Sequence, residues 1–103
     1  MININICIVC DSRFIAQKII DSELIDFIKI YNSSYFPMKS CDSDGNIYYF
    51  LSTKCVTRGY KFDQIISVNK IQDYAISFFY ELMFTLTYSC VPEEFQIIDV
   101  DVE

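Results

Sequence analysis

Ile2, Ile4, Ile6 and Ile8 occupy every second position at the start of the chain and alternate with Asn3, Asn5 and Cys7. A period of two built on β-branched residues matches the pleat of a strand and no helical repeat, so the fold must begin with a strand that buries a face. The other end repeats the pattern. Ile98, Val100 and Val102 alternate with Asp99, Asp101 and Glu103. At two-residue spacing such carboxylates stand about 6.6 Å apart on the outward face.

Between these strands the punctuation is sparse. Asp11 or Ser12 can cap a helix. Ile20, Leu24, Phe27, Ile28 and Tyr31 then fall on one helical stripe, which predicts a helix over 13–31 with room for a break near Asp21–Ser22. Residues 32–46 have loop composition, with Pro37 and the turn dipeptide Asp44-Gly45. "IYYFLSTKCV" reads as a second strand, Thr57 to Gly59 as a tight turn, and "YKFDQIIS" as a third strand in a hairpin with the second. Asn69 with Gln72 has capping-box spacing for a helix running to Ser89. Val91 precedes Pro92 and must be extended, which ends it.

The predicted order is βαββαβ. That is the ferredoxin-like α+β sandwich, an antiparallel sheet with two helices on one face and the other face open. The last strand lies at an edge. With 103 residues, 52% of them hydrophobic, the chain is expected to form a single domain over 1–103 with one real core.

Charge is unevenly placed. All eight Lys/Arg lie within the first 70 residues, whereas 71–103 carry seven acids (Asp73, Glu81, Glu93, Glu94, Asp99, Asp101, Glu103) and no base. An acidic surface repels nucleic acid and attracts basic protein. Carboxylates on an edge strand also discourage edge-to-edge pairing. The stretch 74–91 is apolar enough to suggest a membrane span. However, Asp73, Ser77, Glu81, Thr85 and Ser89 draw a polar stripe every four residues, which predicts a buried helix with one wet edge and no membrane.

Catalytic signatures are thin. There is no His, which removes the commonest general base and zinc ligand. Cys7 and Cys10 form a C-x-x-C that resembles the thiol site of thioredoxin-like proteins, but the pair between them is Ile-Val and Cys7 falls inside a strand. Five cysteines, an odd number, with no cation before Arg13 of the kind a secretion signal carries, predict free thiols in a reducing, cytoplasmic compartment. No metal, cofactor or enzymatic activity is expected. Asp42 to Asn46 departs from a calcium loop, with Gly at the fourth position and Thr53 at the twelfth. Arg58, Gly59, Tyr60 and Phe62 resemble the start of the RNA-recognition-motif signature, which implies an RNA-binding module as one alternative. Against it, the first strand lacks the partner aromatic.

What remains is protein binding. Eight Tyr and nine Phe supply interface anchors, and Tyr48 and Tyr49 are expected to place at least one ring on the open sheet face. A small, acidic chain without catalytic signature resembles, in profile, the immunity proteins (antitoxins) of bacterial contact-dependent and polymorphic toxin systems. Anti-CRISPR inhibitors of phage share that profile. The Ile- and Asn-rich composition suits an AT-rich bacterial or mobile genome. The resemblance implies a toxin inhibitor that binds a basic protein, a nuclease toxin, by occlusion, with Glu93, Glu94, Asp99, Asp101, Glu103, Tyr48 and Tyr49 at the contact. A homodimer through the open sheet is compatible with it.

Overall fold

The computed structural model describes residues 3–22, 27–31 and 36–102. It is an α+β domain with a radius of gyration of 12.6 Å, close to the ~13 Å of a compact 100-residue chain. The elements run β1 (Asn5–Val9), α1 (Arg13–Asp21), β2 (Phe27–Tyr31), β3 (Met38–Asp42), β4 (Ile47–Leu51), β5 (Gln64–Val68), α2 (Ile76–Leu82), α3 (Glu93–Gln96) and β6 (Ile97–Val100). One-turn 3₁₀ segments at Ile71–Asp73 and Met83–Leu86 flank α2.

The sheet is mixed and its order is β2-β3-β4-β1-β5-β6. This differs from the predicted ferredoxin-like antiparallel sheet. β1 pairs in parallel with both β4 and β5, and β5 in parallel with β6, while β2, β3 and β4 form an antiparallel meander. The expected hairpin between β4 and β5 does not form, because β1 lies between them. β4 and β5 both run parallel to β1, so the chain must cross over between them, and residues 52–63 provide the connection.

The helices occupy opposite faces of the sheet, which corrects the placement of both on one face. Ala16 and Ile19 of α1 pack with Ile6, Ile8, Cys10, Tyr48 and Phe50. On the other side Ile71, Phe79, Leu82 and Leu86 pack with Cys7, Val9, Leu51 and Ile65. β1 is therefore buried on both faces, as a central parallel strand must be. The alternation at the N-terminus predicted a single buried face.

Ser12 does cap α1, its Oγ accepting from the Ile15 amide at 3.3 Å. The helix stops at Asp21 and not at Tyr31. "FIKIY" has helical spacing but is also a β-branched and aromatic run, and its pairing with β3 makes it a strand. Leu24 lies outside the described residues. The helix predicted from Asn69 is shortened and broken. Asn69 and Lys70 both take positive φ, 56° and 58°, and Lys70, not Asn69, stands at the start of the short 3₁₀ turn Ile71–Asp73, with no side-chain cap. The Asn69 side chain accepts from the Val102 amide at 2.7 Å and the Gln72 amide donates to Ser67 Oγ at 3.2 Å, so no capping box forms.

Met38–Asp42, inside the stretch expected to be loop, is a strand because it pairs with β4 on one side and β2 on the other; the turn at Asp44-Gly45 then joins β3 to β4 as its dipeptide predicts. Gly45 has φ +88° and lies against the Asn3 side chain. Asp42 secures the turn from inside: its carboxylate accepts from the amides of Asp44 and Asn46, from Asn46 Nδ2 and from the Tyr48 hydroxyl, at 2.8–3.1 Å.

Candidate functional site

The acidic tail is divided between structural and free roles. β6 is an edge strand, and Ile98, Val100 and Val102 are half-buried while Asp99 and Asp101 are exposed. Asp99 Oδ1 accepts from the Lys70 amide at 2.9 Å, so this carboxylate closes the left-handed turn at Asn69-Lys70. Asp101 points to solvent, and Glu103 lies outside the described residues. Glu93 and Glu94 are exposed in the first turn of α3, where carboxylates are favoured by the helix dipole.

Tyr48 is withdrawn from the protein surface. It is 7% exposed and its hydroxyl donates to Asp42 at 2.8 Å. Burial, together with that carboxylate, pushes its pKa well above the ordinary tyrosine value. Tyr49 is half-buried beneath the crossover, in edge contact with Tyr60 at 5.5 Å. Among the described residues both faces of β1 and β4 carry core contacts, so neither ring lies bare on the sheet.

The two cysteines of the C-x-x-C lie on opposite faces of the sheet, Cys7 in one core cluster and Cys10 in the other. Burial raises Cys7 well above the ordinary thiol value, and burial with the nearby Asp11 carboxylate pushes Cys10 to about 12. Both are held as thiols, the opposite of an activated nucleophile. Arg58 and Gly59 lie between β4 and β5, and β5 starts only at Gln64, so Tyr60 and Phe62 belong to the crossover and not to a strand. Phe62 is buried and stacks on Tyr60 at 5.0 Å. Among the described residues no group of three or more His, Cys, Asp or Glu could hold a metal ion. Among the described residues no helix is long and apolar enough to cross a membrane.

A different surface emerges on α2 and the turn after it. Ile76, Tyr80 and Phe84 recur at i, i+4 and i+8 and are 67–69% exposed; Met83 stands beside them and Tyr88, 87% exposed, follows. Tyr80 and Phe84 meet edge to face at 5.6 Å. Phe79, Leu82 and Leu86, on the opposite side of the same segment, already supply its core contacts. The segment is thus apolar on both sides, one buried and one bare. At roughly 150–250 Å² per aromatic side chain, this ridge reaches or exceeds the ~300–600 Å² of the largest apolar patch usual on a monomer.

The ridge borders a groove. A cavity of about 640 Å³ separates Phe84, Thr85 and Glu81 from Val56, Arg58 and Tyr60 of the crossover. It continues past Gly59 into one of about 380 Å³ that reaches Lys61 and Tyr88. Gly59 takes φ +93°, the left-handed turn that lets the crossover reverse here. Carboxylates frame the ridge, with Asp73 and Glu81 exposed on its own segment and no base from Ile71 onward.

Of the predicted contact residues, Glu93, Glu94 and Asp101 are exposed, Asp99 is committed to the fold, Tyr48 is buried and Tyr49 is half-buried. The ridge itself went unpredicted. Its signal was present: 74–91 has more apolar residues than one buried stripe can use. Comparison with family models, curated proteins and solved structures finds no match for this chain.

Proposed function

We propose that this chain is a non-enzymatic protein-binding domain that docks a basic protein partner on the ridge of α2, in the manner of an immunity protein covering a cationic toxin. The observation that carries the reading is the bare apolar ridge Ile76–Tyr80–Phe84–Tyr88 set in a segment without a single cation. Aromatic anchors provide desolvated contact area, and the surrounding carboxylates steer and orient a positively charged surface. The acids of the notional tail contact shift in role accordingly: Glu93, Glu94 and Asp101 act as a charged rim, and Asp99 holds the edge. Self-pairing through the ridge is disfavoured, since a second copy would bring like-charged Glu81 and Asp73 towards each other. The partner we favour is a nuclease or other nucleic-acid-acting toxin, whose phosphate-binding surface is basic by necessity. We place the protein in the cytoplasm, where five free thiols persist.

The test compares wild type with Phe84→Lys, a change at an exposed position that leaves the core intact. Both are expressed with a tag in the native host, the retained proteins are identified, and the complex is rebuilt from purified components. One basic protein held by wild type, lost in Phe84→Lys, released by salt, and inhibited in its own activity by wild type alone is the expected result. Retention of RNA, or equal retention by both forms, overturns the reading.

A further inference from the structure

We propose that the pocket beyond the carboxyl end of β4 binds a small anionic ligand that carries a planar ring. This site shares Cys55, Val56, Arg58 and Tyr60 with the groove beside the ridge but contains no residue of the ridge itself. β4 ends at Leu51, and the crossover then folds back so that Ser52, Lys54, Val56, Arg58 and Tyr60 line, with Phe36, an open surface pocket of about 550 Å³. Small-molecule sites typically measure about 300–1,000 Å³. Parallel strands place such sites outside their carboxyl ends, which is where this one lies.

The lining specifies the ligand chemistry. It contains two cations and no carboxylate. From Ile47 to Phe62 the chain carries Lys54, Arg58 and Lys61 and no acid at all. Neither Lys54 nor Arg58 forms an ion pair with a described residue. Two unneutralised cations at one opening repel each other, and an anion between them removes that repulsion while accepting charge-assisted hydrogen bonds. The planar guanidinium suits the paired oxygens of a phosphate or carboxylate.

The aromatic walls specify the rest. Tyr60 is held from behind, stacked on Phe62 with an interplanar angle of 14° and touched edge-on by Tyr49. Its ring is fixed before any ligand arrives, so little ordering is needed on binding. Phe36 forms a second apolar surface and Val56, 75% exposed, an apolar lip. The combination fits a flat ring lying on the aromatic wall with its anionic group at Lys54 and Arg58. Two sources share this chemistry, a nucleoside monophosphate and an aromatic carboxylate.

Amide NMR titration of the full chain with adenosine 5′-monophosphate, benzoate and inorganic phosphate at millimolar concentration tests the site. Saturable shifts confined to the amides near Ser52, Val56 and Tyr60 with one or both ring-bearing anions, and weaker binding of phosphate, are expected. Whichever of the two binds tighter identifies the source. Arg58→Gln and Lys54→Gln should each weaken binding about tenfold, as loss of one charge-assisted hydrogen bond does. Lys70→Gln, at an exposed cation elsewhere, should leave it unchanged, and so should Ile76→Ser, on the ridge but outside the groove, which distinguishes this site from partner docking. No saturable shift with either ring-bearing anion, equal binding of inorganic phosphate, or equal loss in Lys70→Gln would overturn the proposal.

Discussion

The crossover 52–63 and the segment 71–86 pack on the same face of the sheet and share one core cluster, yet they meet solvent with opposite chemistry. The crossover sends Phe62 inward and shows Lys54, Arg58 and Lys61. The α2 segment sends Phe79, Leu82 and Leu86 inward and shows Asp73, Glu81 and a row of aromatic rings. Arg58 and Glu81 face each other across the groove between them. The comparison teaches that burial is satisfied by one side of each segment alone. The outer side of each is left free of folding duties, and on α2 that freedom is used to expose apolar surface.

If inward and outward sides are independent, substitutions should separate cleanly. The largest effects fall inside. Phe62→Ala is expected to lower unfolding free energy by about 3–5 kcal/mol and Leu82→Ala by about 2–5 kcal/mol, read by urea denaturation. Both regions should thus prove equally anchored despite their different surfaces. Phe84→Ala, on the outer side, should stay within about 0.5 kcal/mol of wild type. A cost as large as that of Leu82→Ala would mean the ridge belongs to the core and would break the comparison.

Next in size is binding. Phe84→Lys should weaken the rebuilt partner complex by at least about 2 kcal/mol, a hot-spot magnitude, measured by calorimetry, while Lys61→Gln on the other side of the groove should strengthen it or leave it unchanged. Loss of affinity in Lys61→Gln would assign the partner's contact to the crossover instead.

The turn at Asp42 offers a pH test remote from both regions. Burial opposes ionisation of its carboxyl, but hydrogen bonds from Tyr48, Asn46 and two backbone amides outweigh that and hold it below the ordinary carboxylate value. A folded pKa below the unfolded one stabilises the native state above the unfolded pKa, about 3.9, and this stabilisation is lost as pH falls through the folded value. Asp42→Asn should therefore cost about 1–3 kcal/mol at neutral pH and flatten the acid limb of the stability curve. An unchanged acid limb in the variant would remove Asp42 from that role.

Smallest are the tail acids. Asp99→Asn should cost about 1 kcal/mol by weakening the bond to the Lys70 amide. Asp101→Asn should cost nothing measurable. Glu93→Gln with Glu94→Gln should cost less than about 1 kcal/mol of stability, through the helix dipole alone, and reduce the salt dependence of association with the partner. A stability loss in the glutamate pair larger than that of Asp99→Asn would assign them to the fold and not to a rim.

Several local features were legible from residues alone. The strand at 5–9, the Ser12 cap, the Asp44-Gly45 turn, β4 and the final strand each follow from a short pattern whose physics is complete within a few residues. The contact surface was legible only in part. Acidity drew attention to 93–103, but Tyr48 and Asp99 have internal partners 6 and 29 residues away, and no local pattern reports such partners. The ridge could have been suspected from the surplus of apolar residues at 74–91, but not which side of the helix would be bare.

By itself the sequence determined the α+β character, the position of most strands, the absence of histidine chemistry and the segregation of charge. Tertiary structure alone decided that 27–31 is a strand, that β1 sits between β4 and β5, that the helices cover opposite faces, and that a surplus apolar stripe is left in solvent. The physical reason is range. Pleat periodicity, caps and turns are energies between neighbours in the chain, whereas parallel pairing and face coverage depend on which distant segments compete for the same buried area. A five-residue run such as "FIKIY" carries no information about that competition until β3 is beside it.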